Sequence, residues 1–485
     1  MVNIVLIKRT FQFLPGQLFA PLAQFISIII WTHIASAETI GMVTLISTQQ
    51  ELIRTVFIGW WSHYLLRFIT DKTKSTDGLL STNRAILLIS SLFQLIVVCA
   101  FLTIFFSQQL NLALIVITII FVIFRNINLH NLSITSVKGK VFQYNLLALS
   151  GPVLGLLIGI FFLLNFGDNV IWPLAGYAIG EVVGFLIYTA LNGIKKDMFN
   201  VNWQILSDAK RYSLPILIAG FFGWLSINAV RFIIEIKLGI DATGEFSVGF
   251  GLGQRAASLA SMLVTAASLP LAISVMQEKG YLPAMKQLAD NFVLLITVMF
   301  PALVGMYAVS DLLVELLIAK EFWEVTMDVL PWAILSGGIF AILYNYINHY
   351  FIIADKTGFL IYIDSITAVV ICIIAFPLID IFGLKGGVIA MCLASASVAI
   401  SMLIYLLKCT EFIFPVKPFL KISFSVLIMY ILTVYTQSFF ANTIYKLTTS
   451  IVVGIFVYIV CSAFIYRKQI VSYMSKSFEI KRKEV

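Results

Sequence analysis

Four arginines, Arg54, Arg125, Arg231 and Arg255, stand inside long apolar runs of a 485-residue chain. Arg255 lies in VGFGLGQRAASLASMLVTAAS (248–268), with Gly251, Leu252, Ser258 and Leu259 at the helical i±3 and i±4 positions. A guanidinium at membrane depth costs about 2.5–3.5 kcal/mol on insertion scales, so something must offset it. Its planar, permanently charged fork suits a phosphate-like oxyanion; the plainer reading is a link to a carbonyl or acid on another helix. Arg54 has Glu51 at i−3, which neutralises it in part or acts as a coupled switch. Arg231 has Glu235 at i+4, the spacing of a helix-edge ion pair, and Arg125 sits near a helix end from which it can snorkel to headgroups. Glu181 and Asp364 are acids inside apolar runs, open either to pairing with a cavity arginine or to binding a cation. In YNYINHY (344–350), the pairs Tyr344/Asn348 and Asn345/His349 share helix faces. Such a face can stack and hydrogen-bond sugars, or serve as an interfacial aromatic belt.

The elements that position these residues are membrane helices. The chain is 60% hydrophobic and 12% charged, against about a quarter charged in soluble proteins. Its apolar runs are about 20 residues long, not ~10-residue alternating strands. Fourteen spans are expected near 11–31, 40–64, 85–106, 110–130, 142–164, 170–191, 212–234, 243–273, 288–310, 329–353, 357–378, 385–408, 418–438 and 445–466. The first run is too long for a signal-peptide core and contains Pro15, Gln17, Pro21 and Gln24. It reads as an uncleaved span despite the Ala35-Ser36-Ala37 that follows it.

Charge orients the spans. Of 32 Lys and Arg, 24 fall on the side of the N-terminus, four on the other (Lys237, Lys320, Lys385, Lys446) and four inside spans. The positive-inside rule places both termini in the cytoplasm. The same bias explains the net charge of +8 as a topogenic and headgroup-directed signal, not a nucleic-acid patch.

The chain also repeats. Lys8-Arg9 then Pro15 is echoed by Lys210-Arg211 then Pro215, and IASAETIGMVTLI (34–46) by LGIDATGEFSVGF (238–250). Arg54 follows Gly41, and Arg255 follows Gly244, at depths of about 16–20 Å in a ~30 Å hydrocarbon core. The expected architecture is an all-α polytopic membrane protein with two pseudo-symmetric six-helix lobes, 1–205 and 206–410, and two further helices with a basic tail, 411–485. Repeats that meet around a midplane polar site are the plan of many transporters.

TIGMVTLISTQQELIRTVFIGWWSHYLLRF (39–68), YSLPILIAGFFGWLSINAVRFIIEIKLGIDATGEFSVGFGL (212–252), FWEVTMDVLPWAILSGGIF (322–340) and FGLKGGVIAMCLASASVAI (382–400) carry a resemblance. They resemble the polysaccharide-transporter, O-antigen (Wzx-type) flippase family of the multidrug/oligosaccharidyl-lipid/polysaccharide superfamily. The resemblance runs over nearly the whole chain, and its motifs are diffuse. It implies alternating access that carries an undecaprenyl-pyrophosphate-linked oligosaccharide from the cytoplasmic to the periplasmic leaflet of a bacterial inner membrane. It implies a polysaccharide polymerase and a chain-length regulator as partners. Two departures stand out. The family's Asp-Arg near the end of the seventh span is Val230-Arg231 here, and the first span holds neutral Gln17 and Gln24 where lipid II flippases place arginine. The second departure argues against a peptidoglycan precursor as substrate.

The leading reading is thus a flippase, not an enzyme, with Arg255 and Arg54 as cavity cations. Glu51, Gln17, Gln24, Glu181, Arg231, Asp364, Tyr344, Asn345, Asn348 and His349 are candidates for the cavity or for coupling to H⁺, Na⁺ or the membrane potential. No cofactor or nucleic-acid partner is expected. A multidrug exporter on the same fold is the alternative, disfavoured because arginines outnumber acids within the spans. A membrane glycosyltransferase or polymerase is disfavoured by the lack of a nucleotide-binding loop, a metal-ligand cluster or a nucleophile constellation.

Overall fold

A computed structural model describes residues 4–69, 76–193, 201–465 and 467. Lys72, Lys74, Lys195, Lys196, Lys468, Lys476, Lys481, Arg482 and Lys483, counted above toward the charge bias, lie outside them. The described chain is helical throughout. The helices are α1 (Ile4–Ile34), α2 (37–68), α3 (Thr76–Phe105), α4 (Leu112–Val137), α5 (Val141–Phe166), α6 (Ile171–Asn192) and α7 (Trp203–Leu238). They continue as α8 (Ile240–Lys279), α9 (Tyr281–Ala308), α10 (Lys320–Ile353), α11 (Gly358–Phe382), α12 (Leu384–Cys409), α13 (Val416–Gln437) and α14 (Thr443–Ile465). A short helix, Ser310–Leu317, joins α9 to α10.

A helix stands at each of the fourteen expected positions. Among the described residues, twelve helices are long and apolar enough to cross a membrane. The remaining two, α2 and α8, are the ones that carry Arg54 and Arg255. Several helix ends run past the expected spans. Thus α7 begins at Trp203, where Asn202 caps the Gln204 and Ile205 amides with its side chain. Gly239, at φ 89°, makes the sharp break between α7 and α8 that a side chain would resist.

Packing divides the chain into two compact units, 1–251 with 358–391 and 252–357 with 392–485. In the first, α7 packs along α11, α4 along α6, and α5 along α6. One apolar core joins Leu45 and Ile53 of α2 to Leu102 of α3, Val122 of α4 and Leu174 of α6. At the start of α2, Gly41 meets Gly244 of α8, the residue expected to be its equivalent in the repeat. A Cβ on Gly41 would lie 3.1 Å from the Gly244 nitrogen, and one on Gly244 would lie 3.0 Å from the Gly41 nitrogen. Backbones this close need small residues.

In the second unit, α13 packs along α14 and α9 along α13. Pro301, Gly305, Met429, Thr433, Ser450 and Tyr458 line an apolar cavity of about 480 Å³ between these three helices. The segment of α8 around Arg255 is set against α10 by small residues. A Cβ on Gly253 would come within 2.6 Å of the Ala333 Cβ, and one on Gly337 within 2.7 Å of the Ala257 Cβ.

Candidate functional site

The first unit holds a polar cluster built on α2 and α4. Helix α2 is α-helical over Ala37–Ile53 and Trp60–Phe68, but π-helical over Arg54–Gly59. A π-turn widens the helix and releases carbonyls from the regular ladder. Side chains reach them: Ser90 Oγ donates to the Phe57 carbonyl at 3.0 Å, and Ser62 Oγ stands 3.1 Å from the Ile58 carbonyl. Arg54 opens this turn, half-buried. Glu51, exposed one turn earlier, attracts its charge, and Arg125 of α4 repels it.

Arg125 is therefore a neighbour of Arg54 in electrostatic terms, and it is held in place. Its Nη1 donates to Glu181 Oε1 of α6 at 2.7 Å, with the carboxylate 1% and the guanidinium 17% exposed. Asn128 Nδ2, one turn along α4, donates to Glu181 Oε2 at 2.6 Å and to the Glu181 carbonyl at 2.8 Å. Room for the pair comes from Gly151 of α5, where a Cβ would overlap Glu181 Oε1 and stand 3.1 Å from Arg125 Nη1. Arg125 thus does not depend on snorkelling, and Glu181 has the arginine partner that its sequence context left open.

Two further chains of hydrogen bonds run from α4. Gln50 Nε2 donates to Asn126 Oδ1 at 2.6 Å, and Asn126 Nδ2 donates to Gln94 Oε1 at 2.8 Å. Lower down, Trp61 Nε1 donates to Asn83 Oδ1 at 2.7 Å, which also lies 2.8 Å from His130 Nε2; His130 Nδ1 lies 2.7 Å from Ser62 Oγ. Asn126, Asn128 and His130 are all buried. Sequence reasoning passed over this stripe. The available signal was the run RNINLHN (125–131) inside an apolar helix, and its Asn126-x₃-His130 recurs as Asn345-x₃-His349 in α10.

The other expected residues are spread over both units. In the first, Gln17 of α1 is exposed, and Gln24 is half-buried on the same helix. Arg231 donates to Asn228 Oδ1 and lies 4.8 Å from the centre of the Phe250 ring. Its i+4 neighbour Glu235 takes the Thr243 hydroxyl at 3.4 Å. Asp364 is buried on α11, its carbonyl accepting from Ser226 Oγ at 3.2 Å.

In the second unit Arg255 is half-buried, and the adjacent Gln254 Nε2 reaches Ser336 Oγ at 3.5 Å. Tyr344 stacks on Phe340, and Asn345 Nδ2 donates back to the Ala341 carbonyl at 2.9 Å. Asn348 and His349 are buried, with Asn348 Oδ1 and His349 Nδ1 lacking a hydrogen-bond partner. A π-turn, Leu343–Ile347, precedes them. Among the described residues no three His, Cys, Asp or Glu side chains come together as a metal site. The chemistry on offer is oxyanion binding by guanidinium, with carboxylates and amides fixing the geometry.

Comparison with known proteins follows the fold. No protein-family model matches the chain. Over 87 residues it is 41% identical to the lipid II flippase MurJ of Thermosipho africanus (strain TCF52B), a match covering 18% of this chain and 18% of that relative's length. A solved structure of lipid II flippase MurJ, in an inward closed conformation, aligns over 96% of this chain and 100% of that one, with a TM-score of 0.76 at 18% identity. An inward-facing MATE multidrug-resistance transporter of the MOP superfamily aligns over 79% of this chain and 93% of its own, with a TM-score of 0.62 at 15% identity. The chain is a multi-pass membrane protein with the fold that MurJ and MATE transporters share.

Proposed function

We propose that the chain is a flippase for a lipid-linked oligosaccharide, moving an undecaprenyl-pyrophosphate saccharide between leaflets of a bacterial inner membrane with both termini in the cytoplasm. The observation that carries this reading is a pair of guanidiniums in the polar cluster of the first unit: Arg54, half-buried where it opens the π-turn of α2, and Arg125 of α4. One of them is oriented by a buried carboxylate. Glu181 answers the charge of Arg125, while Glu51 beside Arg54 is exposed, so a pyrophosphate, which guanidinium binds well, would complete the cluster at Arg54. In the second unit Arg255 supplies a guanidinium of its own. The apolar cavity between α9, α13 and α14 is roomy enough for part of an isoprenoid chain.

A peptidoglycan precursor is the second reading, favoured by the 41% identity to a lipid II flippase over 87 residues. The neutral Gln17 and Gln24 of α1 weigh against it. Both readings share the anionic headgroup.

Reconstitution into proteoliposomes separates the readings. Wild type should translocate a fluorescent undecaprenyl-pyrophosphate saccharide, and Arg54→Gln should slow this at least tenfold at equal protein content. A lipid II analogue carried faster than saccharides without the peptide would favour the second reading. Transport of a cationic dye with no transport of either lipid would overturn both.

A further inference from the structure

The tautomer of His130 is dictated by its neighbours. The Trp61 indole N–H can only donate, so the Asn83 atom facing it at 2.7 Å is the amide oxygen. That same oxygen faces His130 Nε2 at 2.8 Å, so Nε2 carries a hydrogen. On the other side of the ring, Nδ1 faces Ser62 Oγ at 2.7 Å, and Ser62 Oγ also faces the Ile58 carbonyl at 3.1 Å. Serine has one proton for these two acceptors.

With a neutral imidazole, Ser62 must donate to Nδ1, and the Ile58 carbonyl forgoes the hydroxyl. With a protonated imidazole, Nδ1–H donates to Ser62 Oγ and Ser62 donates to Ile58. In that second state every donor and acceptor of the Trp61–Asn83–His130–Ser62–Ile58 chain is used. Only a hydroxyl rotates between the two, so the site accepts a proton with no heavy atom displaced.

We propose that His130 is a proton-binding site linked to the anion site on Arg54, so that an anionic headgroup and a proton are taken up together. This rests on the lipid-pyrophosphate reading above. Several titratable groups stand on the segments packed around His130. These are Glu51 and Arg54 on α2 with His63 and Tyr64 beyond the π-turn, Arg84 on α3, Arg125 on its own helix, and Glu181 on α6. Of these, Arg54 is the one whose charge acts on His130. Burial is the larger obstacle to a cation at Nδ1; the bare Arg54 charge adds to it, and an anion seated on Arg54 removes that share. Linkage makes the coupling reciprocal: the proton strengthens anion binding by the factor with which the anion strengthens protonation. The link is also mechanical, because Ile58 lies in the same π-turn that Arg54 opens. Protonation adds a hydroxyl bond to the turn that presents the guanidinium.

Calorimetry on the full chain in lipid nanodiscs tests this, with undecaprenyl pyrophosphate as the probe and paired buffers of different ionisation enthalpy from pH 5.5 to 8. The probe's own titration is common to all variants. Wild type should take up up to one proton more per bound probe than His130→Gln, and its affinity should fall more steeply with rising pH, by up to tenfold per unit. Ser62→Ala retains the ring but removes the acceptor for Nδ1–H, so its extra uptake should shrink and move to lower pH. It supplies the comparison if His130→Gln does not fold. Equal uptake in wild type and His130→Gln, or uptake in Ser62→Ala indistinguishable from wild type, overturns the proton site while leaving the anion site standing. Failure of wild type to bind the probe at any pH overturns both.

Discussion

Replacing Glu181 by Gln tests whether the ion pair is what makes Arg125 tolerable inside the membrane. The carboxylate is 1% exposed and its partner 17%, so solvent offers little relief when the pair is broken. Gln retains an oxygen for Asn128 Nδ2, but its amide nitrogen or a neutral oxygen then faces Arg125 Nη1. Removing one partner of a buried pair costs about 3–5 kcal/mol. Removing both should cost far less, because replacement by apolar residues of similar volume is close to neutral, and Asn128 still has the Glu181 position's backbone carbonyl at 2.8 Å. Arg125→Met with Glu181→Leu should therefore recover to within about 1 kcal/mol of wild type, a coupling that a double-mutant cycle resolves. The assay is reversible unfolding in mixed detergent micelles, run beside lipid translocation in proteoliposomes. Stability should return in the double variant while translocation stays lost, since the second cation is gone. A Glu181→Gln protein as stable as wild type, or a double variant no better than the single one, would show that the pair does not hold Arg125.

Three further outcomes are expected. Gly244→Ala should push α2 and α8 apart where a Cβ would stand 3.0 Å from the Gly41 nitrogen, raising thiol labelling of a cysteine introduced at Ala37; unchanged labelling would mean the contact opens freely already. Reporter fusions after residues 76 and 196 should report cytoplasm and one after 241 the outside; a cytoplasmic signal at 241 would reverse the assigned orientation. Arg255→Gln should leave melting of the purified protein nearly unchanged yet abolish the stabilisation given by an undecaprenyl-pyrophosphate saccharide, because a ligand stabilises only through binding to the native state. Equal ligand-induced shifts in the two proteins would return Arg255 to a structural role.

The spans were legible because apolar length is a direct consequence of bilayer thickness. Helix ends were not: hydropathy stops at the lipid edge, while the backbone ladder of α7 continues about two and a half turns further to its Asn202 cap. Arg54 could be found by the cost of its charge. Arg125 could not be read correctly, since its partner Glu181 comes from another helix and the space for it from Gly151 on a third. Arg231 shows the reverse error. The i+4 spacing to Glu235 suggested a pair, yet Asn228 on the preceding turn and the Phe250 ring surround the guanidinium. The π-turn at Arg54–Gly59 left no sequence signal of its own; Ser62 and Ser90, which serve its carbonyls, look like ordinary small residues in their helices.

The contact of Gly41 with Gly244 has a bearing on how such a chain can be assembled. If the two positions are equivalent points of a duplicated half, then a half-length chain pairing about the same axis would place one glycine against its own copy. That is an isologous contact, in which every substitution is felt twice and cannot be compensated from the other side. Joining the halves in a single polypeptide removes this constraint. A larger residue at one position can be answered by a backbone shift or a smaller neighbour at the other, and the two arginines farther along α2 and α8 become free to take different partners. Arg54 has Glu51 one turn before it on α2, while the α8 segment around Arg255 lies on α10 through Gly253 and Ala257.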